Sequence, residues 1–208
     1  MNVIEALNWR YAVRKFSDYQ LSEKSVDDLL HATLLSPTSY GLQPYRLIVI
    51  TDRGLRQQLM RASYGQEKVL NCSHLVVFAA QTEFGDEMIE RYIDRVVEAR
   101  NIDYSEISGL GEHMKEVFQN KNAQQKREWA HQQAYIALGT LLTSAALMKI
   151  DACPMGGIET DIYDKFLGLN EKGMETSVIC SLGIRHREDQ SAELAKVRYD
   201  KSEMVLSI

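Results

Sequence analysis

Arg10 and Arg14 near the start of the chain, and Lys196 and Arg198 near its end, are the side chains whose type and spacing most suggest chemistry. A step of four puts Arg10 and Arg14 on one face of a helix or close together in a turn, and a step of two puts Lys196 and Arg198 on one side of an extended segment. Taken singly, each pair has an ordinary explanation: Arg10 can close a first helix favourably at its C-terminal end, and Lys196 with Arg198 can form a solvated basic patch. If the pairs converge, three or four donors surround a phosphate with charge-assisted, partly bidentate hydrogen bonds. The chain has no Gly-x-Gly-x-x-Gly after a strand and no Gly-Lys-Ser/Thr loop, so such a phosphate has to be gripped by side chains.

Two further stretches could serve the rest of a ligand. Ser36-Pro37-Thr38-Ser39-Tyr40-Gly41-Leu42-Gln43-Pro44-Tyr45 is a polar loop. Its hydroxyls and amide can bond a sugar-like chain or a heterocycle edge, with Gly41 leaving room for close approach, or they can simply form turns. Pro154-Met155-Gly156-Gly157 is the second. Its paired glycines make either a turn into the next helix or a backbone surface that faces a planar ring.

The elements that must position these residues follow from periodicity. Ser22 is an N-cap, with Leu21 before it and Val26 after it placed as a hydrophobic staple, and this helix stops near Ser36-Pro37. Apolar runs at 46–51, 74–81 and 176–184 predict strands buried on both faces. Helical spacing is expected at about 54–62, 87–99, 123–149 and 159–167, and a polar helical excursion over about 100–125 is the segment best suited to act as a lid or to contact a partner. The sequence from Ala134 to Met148 is the most apolar, rich in small residues, and too short to span a bilayer; it predicts a central core helix, with small residues that also suit packing against a second subunit. Without repeats or Pro/Gly-rich linkers, residues 1–208 are expected to form one domain.

Composition removes several classes of function. The net charge is -5, with 29 acidic against 24 basic side chains, which provides no general field for nucleic acid or an anionic membrane. Met1 to Lys15 has no uninterrupted apolar core of the secretory kind, so a cytoplasmic protein is expected. Cys72, Cys153 and Cys180 are widely separated among apolar or small neighbours, which predicts free buried thiols, and the five histidines show no metal-ligand spacing. No metal site, no Ser/His/Asp set and no Cys/His nucleophile is expected.

Five motifs in order, Arg10-Tyr11-Ala12-Val13-Arg14-Lys15-Phe16, Ser36 to Tyr45, Tyr64-Gly65-Gln66-Glu67-Lys68, Pro154 to Gly157 and Lys196-Val197-Arg198, resemble the nitroreductase family of FMN-dependent NAD(P)H oxidoreductases over essentially the whole chain. The resemblance is to the oxygen-insensitive nitroreductase and dihydropteridine reductase type. It implies an α+β sandwich with a central, mainly antiparallel mixed sheet flanked by helices, and an intertwined homodimer with shared active sites. It implies FMN as cofactor, NADH or NADPH as reductant, and small flat acceptors such as nitroaromatics or quinones, reduced by a ping-pong mechanism.

Residue by residue, the resemblance implies that Arg10, Lys196 and Arg198 hold the FMN phosphate, with Tyr11 and Ala12 alongside, and that Arg14 and Lys68 lie at the pyrimidine edge, Lys68 as electrostatic stabiliser. Pro154, Met155, Gly156 and Gly157 would face the ring near N5. Thr38, Ser39, Gly41 and Gln43 would line its ribityl and ring side, partly from a second subunit. Tyr40, Leu42 and Phe118 would shape the substrate pocket, with Trp129 and Gln133 as further neighbours; ordinary helix packing also explains Phe118, Trp129 and Gln133. The chain departs from the family pattern at Ala12, Gly41-Leu42, Gly65 and Gly156, changes that bear on the pocket above the flavin. A flavin carrier or sensor without turnover, or a reductase of enones, pteridines or halogenated aromatics, are the alternatives.

Overall fold

The computed structural model describes all 208 residues. Helix α1 (Val3–Trp9) opens the chain, followed by α2 (Glu23–Leu34), whose cap Ser22 accepts from the Ser25 amide at 3.2 Å. Leu21 and Val26 meet in one core cluster, so the staple forms. The chain continues through β1 (Tyr45–Ile50), α3 (Arg53–Arg61), α4 (Glu67–Asn71), β2 (His74–Gln81), α5 (Asp86–Arg100), α6 (Tyr104–Gln119) and the long α7 (Ala123–Leu147). It ends with β3 (Asp151–Met155), α8 (Thr160–Leu167), β4 (Met174–Gly183) and a short α9 (Lys201–Met204).

The four strands form one sheet in the order β1-β2-β4-β3, each pair antiparallel. Parallel pairing is confined to a bridge between Ala12 and Ala152 at the β3 edge. Strand β3 is a fourth strand, beyond the three that apolar runs predict, and it takes in Pro154 and Met155 of the stretch read as a turn or ring-facing backbone. Pro154 masks it in the sequence, but an edge strand tolerates proline because one row of its N–H groups needs no ladder partner; Pro154 here sits opposite Cys180.

Alternation along the central strands fills both faces of the sheet. Val76, Phe78, Val178, Cys180 and Leu182 point into a core closed by α2 and α7, and Leu75, Val77 and Ile179 into one shared with Leu59, Val69 and Tyr163 from α3, α4 and α8. Burying each large side chain contributes about 1.5–3 kcal/mol. One stripe of α7, with Ala134, Ala137, Leu138 and Leu141, lies in the first core, while Tyr135 and Ile136 stay exposed at 49% and 44%. No helix is long and apolar enough to cross a membrane.

Candidate functional site

The two ends of the chain come together at β3. Helix α1 stops at Trp9 because Arg10 takes an extended conformation (φ -71°, ψ 143°) as its C-cap. The segment then runs along the sheet, bridging Ala152 through Ala12 and Arg185 through Phe16, with Val13 and Phe16 buried beneath it. The chain leaving β4 returns beside it, donating from the His186 amide to the Lys15 carbonyl at 2.8 Å. Farther on, Lys196 Nζ donates to the Leu7 carbonyl at 2.8 Å and to that of Arg10.

The result is a cleft of about 370 Å³ lined by Arg10, Tyr11, Ala12, Arg14, Lys196 and Arg198, among others. The two basic pairs, 182 or more residues apart in sequence, thus share one wall-to-wall space. None of the four cations is paired with a carboxylate. Burial and then the charge of Arg198 push Arg10 below its usual value; burial, Arg10 and Arg198 do the same to Lys196. The Arg10 Nε is buried without a hydrogen-bond partner. An anion in the cleft would relieve both the repulsion and the orphaned donor.

Lys68 on α4 lies beside the same wall. The buried Cys153 thiol on β3 is pushed up by its burial and pulled back in part by Lys68, then by Arg10 and Arg14. All three cations thus act electrostatically on one residue of the edge strand. Pro154 and Met155 continue that strand toward Gly156 and Gly157, both exposed, and Gln66 Nε2 reaches the Gly157 carbonyl at 3.4 Å. Neither glycine has a left-handed backbone, and a methyl group on Gly157 would meet nothing within 4 Å. Nothing within the chain requires glycine at Gly157.

The loop residues form a second, separate group, held by α2, α5, α6 and α7. Thr38 Oγ1 accepts from the Gln43 amide at 3.1 Å, and the Gln43 side chain donates to the Leu34 carbonyl at 2.7 Å, so both are used inside the loop. The Ser39 amide donates to the buried Gln133 at 2.9 Å. Gly41 has φ +77°, and a Cβ there would fall 2.8 Å from the Tyr92 hydroxyl, so the close approach that the glycine permits is to α5. Tyr40, itself left-handed at φ 58°, lays its ring edge-on to Phe118 at 6.2 Å. Phe118 meets Trp129 at 4.7 Å and Phe84 at 5.3 Å and is only 3% exposed, and Leu42 is buried in the same cluster.

Several residues of the first group carried no signal in the sequence. Arg185 is held by Asp151 and stacks on Trp9 and Tyr11; Asp189 binds the backbone of Arg14 and Lys15. His186-Arg187-Glu188-Asp189 reads as a charged surface run. Its only local cue is Asp189 two residues before Ser191, an Asx-type pattern. The three cysteines are free and buried, and no cluster of His, Cys, Asp or Glu is arranged to hold a metal.

Comparison with known proteins bears on the family and the fold. Residues 7–184 match the family model described as the nitroreductase family. A Staphylococcus saprophyticus protein provisionally named NAD(P)H nitroreductase is 33% identical, the match covering 98% of this chain and 95% of that protein. Among solved structures, a provisionally named NAD(P)H:FMN oxidoreductase of Staphylococcus epidermidis superposes with a TM-score of 0.89 at 15% identity, over 100% of this chain and 96% of the other. A provisionally named nitroreductase of Exiguobacterium sibiricum, solved in complex with FMN, gives 0.87 at 18% identity, over 100% and 98%. At these identities the superpositions speak to the fold.

Proposed function

We propose that this chain is an FMN-dependent NAD(P)H oxidoreductase, because it belongs to the nitroreductase family and because its free cations converge in one cleft. That convergence is the observation that carries the reading: Arg10, Arg14, Lys196 and Arg198 line the cleft without a carboxylate partner, and the buried Nε of Arg10 has no acceptor. The donor set suits a phosphate monoester.

FMN, if held here, would supply two-electron chemistry, the ping-pong transfer of hydride from NADH or NADPH to a flat acceptor such as a nitroaromatic or quinone. The chain's own work is binding and electrostatics. Arg10, Lys196 and Arg198 grip the phosphate, with Tyr11 and Ala12 forming the adjoining wall. Lys68 and Arg14 would put positive charge at the pyrimidine edge, where it would stabilise the negative charge of the reduced ring. Gly156 and Gly157 leave the backbone bare, so a planar ring can lie against it. No acid, base or nucleophile of the protein is required.

The loop of Thr38, Ser39, Tyr40, Gly41, Leu42 and Gln43, with Phe118 behind it, belongs to the site of a second copy. This reading of a homodimer with shared sites is supported by apolar side chains left exposed on α1 (Val3, Ile4), on α7 (Tyr135, Ile136) and along the C-terminal tail (Val197, Tyr199, Leu206). The test is an anaerobic absorption spectrum of the purified protein before and after an equimolar addition of NADH or NADPH. Flavin bands that bleach are expected. Bands that persist would make the protein a carrier or sensor, and a colourless protein that takes up no added FMN would overturn the reading.

A further inference from the structure

Four like charges gathered in one cleft repel one another, so the backbone that carries them has to be held by something else. Asp189 is 5% exposed and accepts four hydrogen bonds. Its Oδ2 takes the Arg14 amide at 2.8 Å, the Lys15 amide at 3.1 Å and the Tyr11 hydroxyl at 3.2 Å, while Oδ1 takes the Ser191 amide at 3.0 Å. It has no ion pair with any cationic side chain. The carboxylate is therefore committed to main chain on both sides of the cleft, tying residues 14 and 15 to residue 191.

A second tie lies one turn of chain away. Arg185 donates from its amide and its Nε to the two oxygens of the buried Asp151, at 2.8 and 2.9 Å. Its guanidinium sits 4.2 Å from the ring centre of Trp9 and 4.5 Å from that of Tyr11. Trp9 closes α1 and Tyr11 follows Arg10, so the two rings bracket Arg10 in sequence. Stacking both rings on one anchored guanidinium fixes the chain on either side of Arg10.

We propose that Asp189 and Arg185 are positioning residues: they hold the cation cradle in its phosphate-binding shape against its own repulsion, and so set the preference for a phosphorylated flavin over an unphosphorylated one. This rests on the flavin reading above. Preorganisation of this kind removes the ordering term from binding, so the clamp shows itself in the affinity for the phosphate and not in that for the ring.

The experiment compares FMN with riboflavin, each titrated into apoprotein and followed by quenching of flavin fluorescence, for the wild type, Asp189→Ala, Asp189→Asn and Tyr11→Phe. Wild type is expected to bind FMN about 100-fold or more tightly than riboflavin, the ratio that two charge-assisted hydrogen bonds provide. Asp189→Ala should reduce that ratio by about tenfold while riboflavin affinity stays within about twofold. Asp189→Asn keeps an acceptor for one side of the clamp only and should fall between. Tyr11→Phe, which loses one of the four bonds and keeps the ring on Arg185, should lower the ratio by about two- to threefold, and it tests the clamp if the alanine variant does not fold.

A parallel loss of both affinities would mean that Asp189 only supports the fold, and an unchanged ratio would mean that the cradle holds itself; either overturns the clamp. A wild type that binds the two flavins equally, or neither, would instead overturn the phosphate reading, and the clamp with it.

Discussion

Arg10, Lys196 and Arg198 are gathered at the chain ends although they repel one another, whereas Tyr40, Leu42, Phe84, Phe118 and Trp129 are gathered between the loop, α5, α6 and α7 because burying their apolar side chains together is favourable. The first group is stabilised by ties to its backbone and keeps a buried donor without a partner; the second is satisfied within the chain. The difference separates side chains left open for a ligand from side chains that pack on their own chain and so hold the loop that borders the second copy's site, and it can be broken by exchanging the expected effects of removing each.

The largest effect belongs to the cradle. Arg10→Ala combined with Arg198→Ala removes two charge-assisted contacts, each worth about 1.5–3 kcal/mol, so FMN affinity should fall by about two to four orders of magnitude and the purified variant should be mostly apoprotein. Flavin content per chain after gel filtration measures it. The melting temperature of that apoprotein should be no lower than that of wild-type apoprotein, since removing like charges relieves repulsion. Full flavin occupancy would show that the cleft is a basic surface and nothing more.

Phe118→Ala should do the reverse. A buried phenylalanine replaced by alanine destabilises by about 3–5 kcal/mol through lost burial and the cavity left behind. Denaturant unfolding of the apoprotein should register that loss, while FMN affinity per folded molecule changes little. If stability is untouched and the range of acceptors shifts, Phe118 acts on the pocket and the line between the two groups has been drawn in the wrong place.

The same division explains what could be read before the fold was known. The strands at 45–50, 74–81 and 174–183 and the Ser22 cap were legible because their causes are local: β-branched runs, a hydroxyl before a helix, a staple across five residues. The basic pairs were legible as chemistry, but only the fold brings positions 10 and 198 into one cleft. Asp189 was illegible because its meaning lies in amides 174 and 175 residues away. Strand β3 was hidden by Pro154, an obstacle only for a strand paired on both sides. The loop was legible as polar but not in its use: Gln43 and Thr38 could equally have faced a ligand, and their actual partners, the Leu34 carbonyl and the Gln43 amide, depend on how the chain turns at Tyr40 and Gly41.

The smallest effect is a matter of acidity. Burial pushes the Asp189 carboxyl up, but the Arg14, Lys15 and Ser191 amides outweigh it and hold it below its ordinary value. Its folded pKa therefore lies under its unfolded one, near 3.9, so its contribution is fully present above that pH and is lost as the pH falls through the folded value. The aromatic cluster is held by apolar packing; the carboxylates at its edge, Glu90 and Glu112, pair with Lys115 at 3.0 and 3.4 Å on an exposed surface, where an ion pair contributes little. Hydrogen exchange of the apoprotein, expressed as protection relative to an unfolded chain at each pH, should show the Arg14, Lys15 and Ser191 amides losing protection below about pH 4, while amides of α6 around Met114 and Phe118 keep theirs. Simultaneous loss at both places would mean that the chain unfolds as one unit on acidification; loss at α6 alone would reverse the order. Either result would show that the charged cradle is not the part of this fold that depends on a single ionised group.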